Sequence, residues 1–259
     1  MEFNVEKVTN EIIDFIRNYY KENNLGKAVI GISGGKDSAV VAGLFTKALG
    51  KENVTGIWMP CHSKEEDKEN AYLLAKHFHF RLIEFDLTNT YDNYVEQIKN
   101  GEVEVSDEDL IDANINLKPR LRTATLYYHA AMLSHKENIA YLVPGTSNAC
   151  ELYVGYFTKG GDNVSDILTL ADLTVEEVIK VGEYIGVPQK IVHKTPDDGL
   201  SGKSDEEKLG VLYADIAKVR NGEEVEEKTY QKIKRLHEIN NHKFNTPTYK
   251  KNIWDMEYM

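Results

Sequence analysis

The stretch Ser33-Gly34-Gly35-Lys36-Asp37-Ser38 follows a short apolar run at residues 28–32 and leads into a helical pattern at residues 39–49. Adjacent glycines let the backbone bend sharply and approach an anion closely. The amides and the positive dipole end of the following helix point at the same place. We therefore expect a strand-to-helix turn that holds the phosphates of a nucleoside triphosphate.

The glycine spacing separates this turn from two common phosphate loops. A G-x-x-x-x-G-K-[ST] loop needs glycine where Ile30 stands and Ser or Thr where Asp37 stands. The glycines at positions 31, 34 and 35 also fail the G-x-G-x-x-G spacing. The alternative to a phosphate-binding turn is a glycine-rich turn that binds no ligand and serves only as the N-cap of the following helix.

The composition is that of an ordinary globular chain with an acidic surface. The 259 residues are 41% hydrophobic and 28% charged, which suits one soluble α/β domain over residues 1–259. A net charge of −11 opposes binding to nucleic acids, although a small anionic ligand remains possible. The first residues contain no signal core and no segment approaches the ~18 apolar residues of a membrane span. We expect a cytoplasmic protein without nucleic-acid or membrane partners.

The two cysteines, Cys61 and Cys150, are far apart and belong to no C-x-x-C pair. This pattern argues against a disulfide framework and against a zinc site. We interpret both as small buried side chains, the alternative being a nucleophile.

Apolar periodicity predicts strands that alternate with helices, and therefore a doubly wound parallel sheet flanked by helices. In such sheets ligands bind at the carboxyl ends of the strands, where the glycine turn lies. We expect a polar, mobile loop at residues 193–204, and a kink or break at Pro119 within the longest helix. The predicted strands are residues 27–32, 54–59, 81–85 and 140–143, and the predicted helices are residues 5–24, 39–49, 64–78, 107–134, 174–184, 205–218 and 225–241.

Three further motifs carry charges that folding alone does not require. Residues 116–122 place three cations together in an acidic chain, which suits a phosphate or carboxylate; a solvated helix face is the alternative. Residues 145–151 have the same order as the first glycine turn, with a strand end, a turn of small residues and a helix that begins with an acidic residue. Because this turn lies at a second strand end, Glu151 could share a Mg²⁺ ion with Asp37. Residues 155–162 form another glycine-rich loop with a cation and a carboxylate.

The six-residue stretch resembles the S-G-G-x-D-S loop of the ATP pyrophosphatases, which split ATP between its α and β phosphates. The ordered set S-G-G-K-D-S, N-x-K-x-R-x-R, G-T-S-N-x-x-E, G-Y-F-T-K, K-x-P-x-x-x-L, S-D-E-x-x-L-G and a late His-Lys looks like the NAD synthetase family. The resemblance covers residues 5–249. It implies the adenine-nucleotide alpha-hydrolase-like fold, a homodimer with active sites near the subunit interface, and the substrates deamido-NAD, ATP and ammonia.

The resemblance also implies roles for single residues. Asp37 and Glu151 would hold Mg²⁺, and Asp37 belongs to the catalytic set. Apart from the resemblance, we hypothesise that Asp162 or another loop carboxylate orients or deprotonates ammonia. Lys36 stands at the variable position of the loop, so no catalytic role carries over to it. ATP and pyrophosphate would be bound by Gly31, Ile32, Ser33, Gly34, Gly35, Lys36, Asp37, Ser38 and Thr146, and deamido-NAD by Arg120, Lys159, Asp166, His242 and Lys243.

Two positions depart from the family pattern. Val175 stands where many relatives have an ATP-contacting Lys, and Asp197 stands where they have Thr or Ser. A carboxylate near polyphosphate is unfavourable by like-charge repulsion unless it faces away or meets a metal ion. Neither residue is therefore counted with the site.

The expected chemistry is a two-step acyl transfer. The nicotinate carboxylate attacks the α-phosphorus of ATP, pyrophosphate leaves into the glycine turn, and ammonia then displaces AMP from the acyl adenylate. No amidase domain precedes the loop, which favours free ammonia as the nitrogen donor. The rivals are a sulfur-inserting ATP pyrophosphatase, which would need a suitably placed cysteine, and a nucleotide-binding regulatory module without chemistry.

Overall fold

A four-stranded parallel sheet forms the centre of the protein in this computed structural model, which describes residues 3–194 and 204–245. Its strands are β1 (Lys27–Gly31), β2 (Val54–Trp58), β3 (Arg81–Glu84) and β4 (Tyr141–Leu142), in the order β3-β2-β1-β4. The chain builds outward from β1 through β3 and then returns to the other side of β1. The strand order therefore reverses between β1 and β4, and the crevice at such a reversal is where open α/β sheets bind ligands.

Helices cover both faces of this sheet, as the alternating sequence pattern predicts. Their bounds are α1 (Val5–Glu22), α2 (Lys36–Leu49), α3 (Glu65–Phe78), α4 (Thr88–Lys99), α5 (Ile111–Glu137), α6 (Ala149–Val154), α7 (Val175–Ile185), α8 (Gln189–Val192), α9 (Asp205–Leu209), α10 (Tyr213–Arg220) and α11 (Glu227–Asn240). Short 3₁₀ turns occupy Lys51–Asn53 and Asn241–Lys243.

The two faces of the sheet have separate hydrophobic cores. Ala28 and Ile30 of β1 pack with α1, α2 and α7, whereas Val29 packs on the opposite face with residues of α5. Successive side chains of a strand point to opposite faces, so a continuous apolar strand indicates a sheet buried on both sides. This arrangement confirms the predicted doubly wound sheet.

The predicted elements are largely confirmed, with differences at their ends. Helix α2 begins three residues earlier than predicted, directly after Gly35. The longest helix continues past Pro119 to Glu137, so the helix is not broken there. The predicted helix at residues 205–218 is two helices, because Gly210 adopts φ +61° and ends α9.

Four helices and strands were not predicted. Helix α4 has no buried residue, although its apolar residues, such as Tyr91, Tyr94 and Ile98, recur at helical spacing. Helix α8 is only four residues long. Strands β5 (Pro144–Gly145) and β6 (Ile167–Leu168) pair in parallel as a second small sheet, and two residues each are too few for a recognisable pattern.

Most of the polar loop expected at residues 193–204, including Asp197, lies outside the described residues. Val175 is the first residue of α7 and packs against the cluster of buried residues around α6 and α10. Across residues 3–194 and 204–245, no helix has both the length and the apolar character that a membrane span requires.

Candidate active site

The glycine turn joins β1 to α2 at the carboxyl edge of the sheet, as predicted. Ile32 is buried and its amide donates to the Ile57 carbonyl at 2.9 Å, which continues the pairing of β1 with β2. Gly34 then adopts φ +82°, and Gly35 serves as the N-cap of α2. The first amides of a helix have no intrahelical acceptor, so this turn presents donors to an anion.

Two serines hold the turn in shape. The Ser33 amide donates to Ser38 Oγ at 3.2 Å, and Ser38 Oγ donates in turn to the Gly35 carbonyl at 3.1 Å. The Gly35 amide donates to Ser33 Oγ at 3.2 Å, and the two hydroxyl oxygens lie 3.0 Å apart. The hydroxyls predicted to contact pyrophosphate therefore stand side by side at the start of α2.

Asn148 connects the two carboxylates predicted to hold Mg²⁺. Its side-chain amide donates to Asp37 Oδ1 at 3.3 Å, and its backbone amide donates to Glu151 Oε2 at 3.1 Å. The side-chain oxygen of Asn148 accepts hydrogen bonds from the backbone amides of Cys150 and Glu151. Together with the bond from the Asn148 amide to the Glu151 side chain, this forms a capping box at the start of α6. Asn148 is fully buried, so this link is fixed.

The acidic pair shares its surroundings with a buried cation. Lys36 is 4% exposed and its Nζ lies 2.9 Å from Asp37 Oδ2. Burial opposes the charge on Lys36, but the carboxylates of Asp37, Glu151 and Asp205 outweigh it and raise the Lys36 pKa. Burial raises the pKa of Glu151 well above its ordinary value and Asp37 raises it further, while Lys36 acts in the opposite direction.

The glycine-rich loop at residues 155–162 is anchored by Asp162 and by α5. Thr158 donates its amide to Asp162 Oδ1 at 2.7 Å and its hydroxyl to Asn116 Oδ1 at 2.7 Å. Burial raises the pKa of Asp162, while its backbone hydrogen bonds and the cations Lys243 and Arg122 act in the opposite direction. The Asp162 residue stays accessible to solvent and lies near these basic groups.

Four of the five residues predicted to bind deamido-NAD lie together. The Arg120 guanidinium donates to the Lys159 carbonyl at 3.3 Å, and Lys159 Nζ donates to the His242 carbonyl at 2.8 Å. Lys243 Nζ donates to the carbonyls of Gly155 and Phe157 at 2.6 and 2.8 Å. Residues from α5, the loop and the end of the described chain therefore meet on one side of the site.

The remaining predicted residues stand closer to the sheet. Asp166, the fifth, uses both carboxylate oxygens internally, since Oδ1 accepts from the Tyr127 hydroxyl at 3.0 Å and Oδ2 from the Val143 amide at 2.7 Å. Gly31 ends β1, where an added Cβ would lie 3.3 Å from the Leu126 side chain. Thr146 directly follows β5 and is partly exposed.

The structure adds residues that the motifs did not single out. Asn116 and Asn148 lie inside quoted motifs, and their roles emerge only from contacts across the fold. Asn70 Nδ2 donates to the Gly34 carbonyl at 3.2 Å, and Asp67 forms a short ion pair with Lys194. The Tyr213 hydroxyl is buried without a hydrogen-bond partner among the described residues, and burial followed by the charges of Glu151 and Asp205 raises its pKa.

The arrangement combines an anion cradle with an acidic pair and a cluster of basic groups. The cradle suits a polyphosphate, because helix amides and hydroxyls favour phosphate oxygens. Two carboxylates beside it suit Mg²⁺, which prefers one or two carboxylates together with phosphate oxygens. Burial and the neighbouring Asp37 carboxylate both disfavour ionisation of Glu151 and raise its pKa, and a divalent cation bound between the two carboxylates would offset this cost.

Comparison with known proteins agrees with this geometry. The family model described as NAD synthase matches residues 8–247. A protein from Carboxydothermus hydrogenoformans named NH(3)-dependent NAD(+) synthetase is 42% identical over 217 residues, which cover 83% of this chain and 85% of that relative.

Two solved structures share the fold over almost all of this chain. The NMN synthetase from Francisella tularensis has a TM-score of 0.85 and 29% identity, with 96% of this chain and 99% of that chain covered. The NH3-dependent NAD synthetase from Campylobacter jejuni has a TM-score of 0.75 and 26% identity, with 96% and 100% covered. The predicted fold class is thereby confirmed.

Proposed function

This chain belongs to the NAD synthase family, and on that basis we propose that it amidates deamido-NAD with ammonia at the expense of ATP. The products are NAD, AMP and pyrophosphate. The observation that carries the proposal is the meeting of the glycine cradle with the acidic pair Asp37 and Glu151, which Asn148 joins. The name of the relative from Carboxydothermus supports ammonia as the nitrogen donor.

In the first step an oxygen of the nicotinate carboxylate attacks the α-phosphorus of ATP. A carboxylate oxygen to phosphorus bond forms, the bond from the α-phosphorus to the bridging oxygen breaks, and pyrophosphate leaves with that oxygen. The amides at the start of α2 and the hydroxyls of Ser33 and Ser38 are oriented to hold the leaving pyrophosphate.

Asp37 and Glu151 are the residues that would hold Mg²⁺, as part of this proposal. A bound Mg²⁺ supplies charge neutralisation on the phosphate oxygens. Asn148 keeps the two carboxylates in place by donating to both.

In the second step the nitrogen of ammonia attacks the acyl carbon and AMP leaves. The nitrogen must lose a proton as the new bond forms. Asp162 is suited to accept or orient it, because desolvation raises its pKa above that of an ordinary aspartate and makes it a stronger base. The Thr158 amide fixes the orientation of Asp162 through one oxygen.

Deamido-NAD carries a pyrophosphate of its own, which the basic cluster on the other side of the site suits. Arg120, Lys159 and Lys243 bring positive charge from three separate parts of the chain to one place, next to His242. Asp166 is less available to bind deamido-NAD, because both of its carboxylate oxygens already accept hydrogen bonds within the protein.

A homodimer is part of the proposal. Adjoining helices α4 and α5 expose six large apolar side chains, which is unusual for a surface that meets only water. A second copy of this chain would cover them. The six side chains are Tyr94, Ile98, Ile111, Ile115, Tyr128 and Met132.

Nicotinate mononucleotide is a second candidate substrate, because the Francisella tularensis protein with the TM-score of 0.85 is an NMN synthetase. By its product, such an enzyme amidates nicotinate mononucleotide. The two substrates share the reacting nicotinate carboxylate and differ in the adenylate half. The ratio of kcat/KM for deamido-NAD and for nicotinate mononucleotide distinguishes them, and a ratio above one supports deamido-NAD.

The test of the main proposal uses purified protein with ATP, deamido-NAD, an ammonium salt and Mg²⁺. We expect NAD, AMP and pyrophosphate in equal amounts, and no pyrophosphate when deamido-NAD is omitted. ADP with orthophosphate would contradict the proposal. Release of pyrophosphate that did not need deamido-NAD would contradict the assigned order of steps.

Two controls address the rival functions. Glutamine supplied in place of ammonium should give no NAD in the absence of a contaminating amidase. Both Cys61 and Cys150 are buried, at 1% and 0% exposure, so their joint replacement by Ala should preserve NAD synthesis when the variant folds. A sulfur-inserting enzyme would lose its activity in that variant.

A further inference from the structure

Lys36 occupies an unfavourable place for a cation. It is the first residue of α2, where the helix dipole is positive, and its side chain is 4% exposed. A long amine in such a position normally extends to water. Here the ammonium instead turns back onto the carboxylate of the next residue, with Nζ 2.9 Å from Asp37 Oδ2.

The two carboxylate oxygens of Asp37 have different partners. One oxygen of the carboxylate contacts the Lys36 ammonium and the other accepts from the Asn148 side chain at 3.3 Å. Asn148 also holds Glu151, so three charged groups are linked around one buried amide. The carboxylates of Glu151 and Asp205 also attract the Lys36 ammonium.

Two partly buried carboxylates without a cation between them would repel each other. The Lys36 ammonium supplies the missing positive charge from within the chain. It does so on Asp37, one of the two carboxylates that would hold Mg²⁺.

We propose that Lys36 is a built-in cation that neutralises the acidic pair Asp37 and Glu151 until a divalent ion displaces its ammonium from Asp37. The proposal rests on the assignment of Asp37 and Glu151 as metal ligands under the proposed function. Its consequence is that Lys36 weakens metal binding by the protein without nucleotide. A neutral side chain at this position removes the competing charge and tightens metal binding.

The experiment measures Mn²⁺ binding to the full-length, metal-free protein by electron paramagnetic resonance, without nucleotide. We expect Lys36→Met to bind Mn²⁺ at least tenfold more tightly than the wild type, and Lys36→Arg to stay within about threefold of it. Lys234→Met is the control for net charge, because its side chain is exposed on α11. Equal or weaker Mn²⁺ binding by Lys36→Met would overturn the proposal.

Thermal unfolding gives a second test, which still works if Lys36→Met is less stable than the wild type. The variant should melt below the wild type in chelator, and added MgCl₂ should raise its melting temperature more than that of the wild type. An equal rise in both proteins would argue against the proposal. Adding Asp37→Asn to Lys36→Met should abolish the tighter Mn²⁺ binding, and tightening that persisted would place the ion elsewhere and overturn it.

The outcomes also separate this inference from the proposed function. Tighter Mn²⁺ binding by Lys36→Met in a protein that makes no NAD would support the role of Lys36 and reject the assigned reaction. Intact NAD synthesis by the wild type without tighter Mn²⁺ binding in the variant would reject the role of Lys36 alone.

Discussion

Gly34 lies directly against the main chain of Asp67, so that a Cβ added at Gly34 would come within 2.5 Å of the Asp67 carbonyl oxygen. The contact joins the glycine turn to the first turn of α3. Asn70 strengthens it by donating Nδ2 to the Gly34 carbonyl at 3.2 Å. The shape of the phosphate cradle therefore depends on a helix that lies outside the motif itself.

Gly34→Ala should consequently impair the enzyme through the shape of the cradle. The residue has φ +82°, which costs a non-glycine residue about 1–2 kcal/mol before the clash with Asp67 is added. We expect kcat/KM for ATP to fall by about tenfold or more. Gly35→Ala is the matched comparison, because a Cβ there would lie 3.4 Å from Ser33 Oγ. A loss for Gly35→Ala equal to that for Gly34→Ala would contradict this explanation.

The hydrogen bond from Tyr127 to Asp166 predicts a loss of stability at alkaline pH. Burial raises the pKa of Tyr127 to about 12, with Asp166 contributing, whereas an exposed tyrosine ionises near pH 10. The folded state thus keeps a proton that the unfolded state has lost. The stabilisation is complete below about pH 10 and disappears as the pH rises through about 12.

Tyr127→Phe tests this relation. At pH 8 we expect its free energy of unfolding to be about 1–3 kcal/mol lower, since Asp166 loses a donor. The difference from the wild type should shrink as the pH rises from 10 to 12, as measured by urea denaturation. Tyr184→Phe, at an exposed position on α7, should change neither quantity measurably. Parallel pH curves for the wild type and Tyr127→Phe would refute the prediction.

Local sequence patterns were sufficient for the elements that they encode directly. The apolar runs of β1, β2 and β3 and the helix that Thr174 caps are all found where predicted. The glycine turn was predictable because its conformation requires glycine at Gly34. The meeting of Asp37 with the second acidic turn followed from the rule that parallel strands end at one edge.

Contacts between distant segments could not be predicted from these patterns. Asn70 and Asp67 reach the cradle from α3, and nothing in their local sequence marks that contact. The engagement of Asp166 by Tyr127 depends on how α5 crosses the small sheet. Such pairings arise from the packing of whole elements, and a single sequence carries no periodic signal for them.

The exposed face of α4 and α5 predicts the oligomeric state. If a second copy covers this face, sedimentation equilibrium should give about twice the chain mass of 29.5 kDa. Met132→Glu places a charge in that interface and should shift the protein toward the mass of one chain. Tyr184→Glu, on an exposed part of α7, should leave the dimer intact. A wild-type protein of single-chain mass would exclude the proposed dimer.

Replacing Glu151 by Gln should raise the stability of the metal-free protein and lower its activity. Its folded-state pKa is raised by burial and by Asp37, so the folded protein binds more protons than the unfolded chain above about pH 4.5. The contribution of Glu151 to stability therefore falls as the pH rises through its raised folded pKa. Glu151→Gln removes the ionisation and keeps an oxygen that can accept from the Asn148 amide.

In chelator, the stability of Glu151→Gln relative to the wild type should increase between pH 5 and pH 8, as measured by urea denaturation. Added Mg²⁺ should stabilise the wild type but not the variant, and NAD synthesis by the variant should fall by about a hundredfold or more, about 2.7 kcal/mol of transition-state stabilisation. Glu177→Gln is the control, because Glu177 holds the same capping position in α7. Stabilisation of Glu151→Gln by Mg²⁺ to the wild-type extent would show that this carboxylate is not a metal ligand, since a neutral amide binds the ion more weakly.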